Sequence, residues 1–154
     1  MTIGQVLGET ARRFPGRPAL IGEGFRCSYR ELDEYSECAA DRLWAQGVGR
    51  GAHVGVWAND QPAAFLCFCA VWKLGAVLLP LCTGYTKEEM LHCVQAADID
   101  VIVADGEYLE TLRRFELPVK ILPLRTLTEN LSPVLHRAPA YGSSGKEAER
   151  IPPL

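Results

Sequence analysis

The chain has 154 residues, 48% hydrophobic and 23% charged, a composition that excludes a disordered polymer and leaves room for one sizeable core. Folding at this length buries roughly 70% of the unfolded chain's surface, so stability requires neither a disulfide framework nor a structural metal. The formal net charge of −3 argues against a nucleic-acid scaffold, whose affinity would come from a basic face. Residues 1–105 hold 9 Lys+Arg against 13 Asp+Glu and residues 106–154 hold 7 against 6, too even a balance to name a partner.

Thr2 with Gln5 forms a capping box, and Ile3, Leu7, Ala11 and Phe14 then fall on one helical face. Pro15 to Pro18 ends that helix. Residues 19–21 and 25–27 read as short strands around the Gly22-Glu23-Gly24 turn, a hairpin pattern. Ser28 and Glu31 make a second box, opening a helix to about Gln46 with an apolar stripe of Leu32, Tyr35, Ala39 and Leu43. Gly47 is its natural stop.

His53 to Trp57 follows as a strand. Asn59 or Asp60 is the expected cap of a helix that carries Pro62 in its first turn and ends at Gly75. Residues 76–81 are uniformly apolar, the pattern of a strand covered on both faces. Thr86 with Glu89 opens a helix bearing Met90, Leu91, Val94 and Ala97, and residues 100–103 read as another buried strand. A short helix over 107–115, a strand over 119–122 and a helical turn over 126–129 leading to Leu135 complete the series. Strand–helix alternation repeated this often predicts an α/β fold: a layered, mostly parallel sheet flanked by helices, with a short N-terminal hairpin. Residues 1–136 form the expected domain. Residues 137–154, with Pro139, Gly142-Ser143-Ser144-Gly145, Pro152 and Pro153, read as a flexible linker.

Six cysteines, at 27, 38, 67, 69, 82 and 93, include no C-x-x-C pair, and Met1 to Phe14 carries Gln5, Glu9, Arg12 and Arg13 in place of an apolar signal segment. Reduced, mostly buried thiols in a cytoplasmic protein are expected, with no zinc. The apolar run over 62–82 has the length of a membrane span, but Lys73 sits at its centre and Gly75 and Pro80 divide it, so no span is expected.

The motifs by themselves offer no chemistry. Gly47, Gly49 and Gly51 lack dinucleotide-loop spacing and run from a helix into a strand, the reverse of a phosphate site. Gly142 to Lys146 has two residues between its glycines where a P-loop has four, with Glu147 in the hydroxyl position. His53, His92 and His136 form no constellation, Glu88 and Glu89 suit a helix start, and Trp44, Trp57 and Trp72 are spaced for packing. No catalytic, cofactor-binding or metal residue can be named from these patterns.

Five ordered blocks carry a resemblance: Tyr29-Arg-Glu-Leu-Asp33; Gly47-Val-Gly-Arg-Gly-Ala-His-Val-Gly-Val56; Asn59-Asp-Gln-Pro62; Trp72-Lys-Leu-Gly-Ala-Val-Leu-Leu-Pro-Leu81 leading into Thr86-Lys-Glu-Glu89; and Val101-Ile-Val-Ala-Asp105. In this order, over residues 2–122, they resemble the opening of the large domain of AMP-forming acyl-CoA synthetases, whose relatives are luciferases and nonribosomal adenylation domains. The resemblance implies an incomplete large N-terminal domain of an adenylate-forming ligase. In that family ATP with magnesium activates a small carboxylic or fatty acid to an acyl-adenylate, which then passes to coenzyme A.

It also implies that the family's phosphate loop, adenine segment, ribose-binding aspartate and C-terminal-domain lysine lie downstream of the matched region. The 154-residue chain is therefore expected to be inactive alone. One local role carries over: Cys82, Thr83, Gly84 and Tyr85 correspond to a loop bordering the coenzyme A channel, although many relatives have Asn-Pro where this chain has Cys82-Thr83. Two rivals remain at this point. One is a stand-alone, non-catalytic α/β interaction module that self-associates through an exposed sheet edge; the other is a different nucleotide-binding α/β protein, which would need a phosphate loop after a strand.

Overall fold

In the computed structural model, which describes residues 1–22, 25–59 and 61–131, six helices and six strands alternate along the chain. They are α1 (Ile3–Arg13), β1 (Pro18–Gly22), β2 (Phe25–Ser28), α2 (Tyr29–Ala45), β3 (His53–Trp57), α3 (Pro62–Lys73), β4 (Val77–Pro80), α4 (Lys87–Ala96), β5 (Val101–Ala104), α5 (Gly106–Phe115), β6 (Lys120–Pro123) and α6 (Leu124–Thr128). Strands β1 and β2 pair antiparallel as the expected hairpin. The other four form a parallel sheet in the order β4-β3-β5-β6. The linker assignment at 137–154, His136 and the glycine pair at 142 and 145 lie outside the described residues.

The two central strands hold the sheet in place. Alternate side chains go to opposite faces. Val54, Val56, Val101 and Val103 face one core, shared with α2, α3 and α6, while Trp57, Ile102 and Ala104 face a second core with Met90, Val94 and Leu112 of α4 and α5. Each fully buried Val, Ile or Leu contributes about 1.5–3 kcal/mol. The chain thus places α3 on one face of the sheet and α4 and α5 on the other.

All three sequence-level capping boxes form. Thr2, Ser28 and Thr86 accept from the main-chain N–H of Gln5, Glu31 and Glu89, and each of those side chains returns a bond to the cap's own N–H. The first helix turns a narrower face inward than its apolar pattern indicates. Leu7 and Ala11 pack inward, while Ile3 is 57% and Phe14 37% exposed.

The reason lies at Gly4. A Cβ there would stand 2.9 Å from the Cα of Lys73 and 3.0 Å from the carbonyl oxygen of Trp72. Helix α1 therefore approaches α3 backbone to backbone through its glycine.

The ammonium of Lys73 bridges α3 to α2, donating to Asp33 and Glu37 at 2.7 Å each. Burial acts to lower its pKa, but the hydrogen bonds and charges of the two carboxylates outweigh that and raise it above the ordinary value. The residue that argued against a membrane span is thus the ion pair of a packed helix, and no described helix is long and apolar enough to cross a membrane.

Three expectations are corrected. Helix α3 starts at Pro62 with Gln61 at its N-cap and no side-chain capping bond; Asn59 spends both ends of its amide on α5, and Asp60, the other expected cap, lies outside the described residues. The run at 76–81 is an edge strand among the described residues, where β4 pairs with β3 alone, and it is not covered on both faces, since Val77 is 43% exposed. Trp44 lies on the solvent side of α2, 66% exposed, whereas Trp57 is fully buried.

Gly4→Ala is expected to destabilise the chain by about 1–3 kcal/mol, since neither backbone can yield to the added carbon; urea titration reads it as a lower midpoint. Lys73→Met is expected to cost about 2 kcal/mol, because Asp33 loses its counter-ion while 30% exposed, and the loss should shrink in the background Asp33→Asn.

Candidate functional site

Parallel strands end together, so the loops that follow them collect along one rim of the sheet. Here the connection from β3 runs to β4 on one side, and the chain then crosses back to β5 on the other. The C-terminal ends of β3 and β5 form the switch point, where open α/β sheets ordinarily bind ligands.

Trp57 closes β3 at this point with 1% of its surface exposed. Its indole N–H donates to the carbonyl oxygen of Cys82 at 2.7 Å, and its ring packs on Tyr108 at 5.1 Å and Phe115 at 6.0 Å. The Tyr108 hydroxyl donates to Asn59 Oδ1 at 2.7 Å, and the Asn59 amide donates to Glu107 Oε1 at 3.0 Å. Gln61 Nε2 donates to Asp105 Oδ2 at 3.0 Å, while Asp105 Oδ1 accepts from Gly106 N–H and caps α5. Two side-chain amides of the β3–α3 loop thus close the crevice onto two carboxylates of the β5–α5 region. Burial, followed by the Glu107 charge, raises the Tyr108 pKa.

Beside that clasp stands the loop singled out by resemblance. Cys82, Thr83 and Gly84 are exposed, and Tyr85 is half-buried with its ring against the second core. The Tyr85 N–H donates to the Cys82 carbonyl at 3.3 Å, closing a tight turn. The main-chain N–H groups of Thr83 and Gly84 have no acceptor among the described residues, and the space a Cβ would take at Gly84 is open. The neighbouring Cys93 thiol raises the Tyr85 pKa. The four residues are therefore brought together, on the rim and accessible.

Other sequence candidates lie elsewhere. Gly47 and Gly51 adopt φ of +89° and +79° in the turn entering β3, at the end of the sheet opposite the rim. They fit a helix stop and do not fit a phosphate cradle. His53 sits at the same far end, with Nδ1 2.6 Å from the Ala97 carbonyl oxygen, so that nitrogen carries the proton and donates. His92 is exposed on α4. Among the described residues no group of three or more His, Cys, Asp and Glu side chains is placed to hold a metal.

The cysteines divide by burial more evenly than expected: Cys27, Cys67 and Cys69 are buried, Cys93 is half-buried, and Cys38 and Cys82 are exposed. Desolvation pushes Cys67 and Cys69 up to about 12 and Cys27 up to about 11.

The chain matches the family model described as AMP-binding enzyme over residues 7–150. It belongs to that family. It is 30% identical over 112 residues to YngI of Bacillus subtilis, named as an acyl-CoA synthetase, covering 71% of this chain and 20% of that protein. It is 27% identical over 124 residues to the mouse mitochondrial medium-chain acyl-CoA ligase ACSF2, covering 79% of this chain and again 20% of the relative.

The fold matches the N-terminal subdomain of Klebsiella oxytoca NpsA with a TM-score of 0.73 and 25% identity, over 84% of this chain and 32% of that one. It also matches o-succinylbenzoate coenzyme A synthetase from Bacillus subtilis in complex with AMP, at a TM-score of 0.76 and 21% identity, over 83% and 32% of the two chains. This AMP-binding family chain thus spans a fifth of the length of these curated relatives and about a third of the solved chains. The family assignment favours the ligase reading over both rivals.

Sequence reasoning missed the clasp of Trp57, Asn59, Gln61, Asp105, Glu107 and Tyr108. The signal available was positional: the residues follow or close two strands that the alternation already made parallel neighbours.

Alkylation with iodoacetamide at pH 7.5 is expected to label Cys38 and Cys82 first, Cys93 more slowly, and Cys27, Cys67 and Cys69 only after denaturation. Peptide mass mapping over time checks the order, and early labelling of Cys67 or Cys69 would contradict the assigned core.

Proposed function

We propose that these residues form the first part of the large domain of an ATP-dependent, AMP-forming carboxylate ligase. The acid would be activated as an acyl-adenylate with release of pyrophosphate, and the acyl group would then pass to the thiol of coenzyme A. The observation carrying this reading is the family match across residues 7–150 on a chain whose rim loop, Cys82 to Tyr85, is ordered, accessible and beside the switch point. The Asn-Pro to Cys82-Thr83 difference leaves both positions exposed and frees the Thr83 N–H as a donor.

We infer that this loop borders the path of the thiol acceptor. The pantetheine arm of coenzyme A is a peptide-like chain with amide carbonyls, and the open N–H groups of Thr83 and Gly84 suit such a chain as a sheet edge suits a strand. ATP does not fit the described residues. Holding a transferring group needs oriented backbone amides and positive charge converging on one point, and the rim instead presents Asp105 and Glu107, already clasped. No adenylation step is therefore assigned to any described residue.

Pyrophosphate exchange into ATP, run with a panel of carboxylic acids, is expected to stay at background for the 154-residue chain. Exchange that this chain supports, and that a substitution within it abolishes, would overturn the incomplete-ligase reading.

A further inference from the structure

We propose that Trp57 and Tyr108 are the positioning pair of the Cys82–Tyr85 loop, fixing its shape from beneath through contacts that tie all three rim loops together. The proposal deepens the reading of that loop as a border of the thiol-acceptor path, and in its functional part it rests on that reading.

The geometry is specific. The loop leaves β4, which among the described residues has a neighbour on one side, so that part of the sheet restrains it through β3. Two contacts to β3 supply that restraint: Leu81 N–H donates to the Val56 carbonyl at 2.9 Å, and the Trp57 indole N–H donates to the Cys82 carbonyl at 2.7 Å. The Cys82 carbonyl also accepts the Tyr85 N–H that closes the turn, so one oxygen holds both the turn and its anchor.

Trp57 cannot move without its packing. Its ring lies against Tyr108 and Phe115 of α5, and it is buried almost completely. Tyr108 extends the restraint upward. Its hydroxyl donates to Asn59 of the β3–α3 loop, and its ring braces the indole of Trp57 at 5.1 Å, so it acts on the acceptor loop through that indole. A buried indole, itself braced by a phenol, thus holds a loop whose own main chain is otherwise open to solvent. Neither residue is a catalytic residue; each acts by fixing where the Thr83 and Gly84 N–H groups point.

The test uses the 154-residue chain and amide hydrogen exchange read by mass spectrometry over residues 81–86. Trp57→Phe keeps an aromatic ring and removes the N–H; Tyr108→Phe keeps the ring and removes the hydroxyl, on a half-buried residue where folding is not at stake. In Trp57→Phe the hydrogen-bonded amides of this segment, Leu81 and Tyr85, should exchange about five-fold faster, as expected for loss of one hydrogen bond, and in Tyr108→Phe, where the phenol loses Asn59 and braces the indole less, about two-fold faster. The amides of α2 should be unchanged. Loop exchange equal to the parent's in both variants would overturn the proposal, as would α2 and the loop accelerating in step in Tyr108→Phe. Should Trp57→Phe fail to fold, Tyr108→Phe decides alone.

The acceptor reading is tested by adding millimolar pantetheine to the same samples. It should slow loop exchange in the parent, and the variants should lose that protection. If pantetheine leaves the parent loop unchanged while the variants exchange faster, the positioning pair stands and the acceptor reading falls.

Discussion

The pairing of β3 with β5 is the constraint on which the rest depends. Val54 to Trp57 and Val101 to Ala104 lie in parallel register, and every one of these residues is buried. A pair of strands covered on both faces demands helices on both faces, and parallel direction demands that each crossover be long enough to contain one. From that demand follow α3 on one side, α4 and α5 on the other, and three loops gathered at one rim.

The two faces are then fixed by different physics. On the α2–α3 face, close approach at Gly4 and the Lys73 bridge to Asp33 and Glu37 hold helices to one another as much as to the sheet. On the α4–α5 face the aromatic contacts of Trp57, Tyr108 and Phe115 carry packing into the rim itself. The second face therefore couples core to loops, and the first does not. A substitution at Gly4 should act on stability alone, whereas one at Trp57 acts on both stability and loop shape.

The rim is also unequal along its length. At the switch point, Asn59 and Gln61 satisfy Glu107 and Asp105, so polar groups that could meet a ligand meet each other instead. One strand further, beside the edge strand β4, the main chain stays open. An internally satisfied clasp costs little and rigidifies what it joins; an open loop beside it keeps donors free for a partner.

Much of this was legible in the sequence because it is local. The capping boxes at Thr2, Ser28 and Thr86, the helix stops at Gly47 and Gly75, and the strand at His53 to Trp57 each depend on residues within one or two turns. The parallel sheet followed from their alternation, and the family from the five blocks that span them. What could not be read was long-range: the exposure of Val77, the orientation of Trp44 and the choice of Gln61 over Asn59 as the start of α3. Uniform apolarity fits an edge strand as well as a central one, since strand order is set by crossovers and leaves no mark within the strand. Asn59 was a competent cap by its chemistry, but Tyr108 and Glu107 lie 49 and 48 residues away and compete for the same amide. The sequence by itself determined the elements, their direction and the family. The tertiary structure alone decided which loop is clasped and which is open, because that choice is made by hydrogen bonds between residues that only the fold brings together.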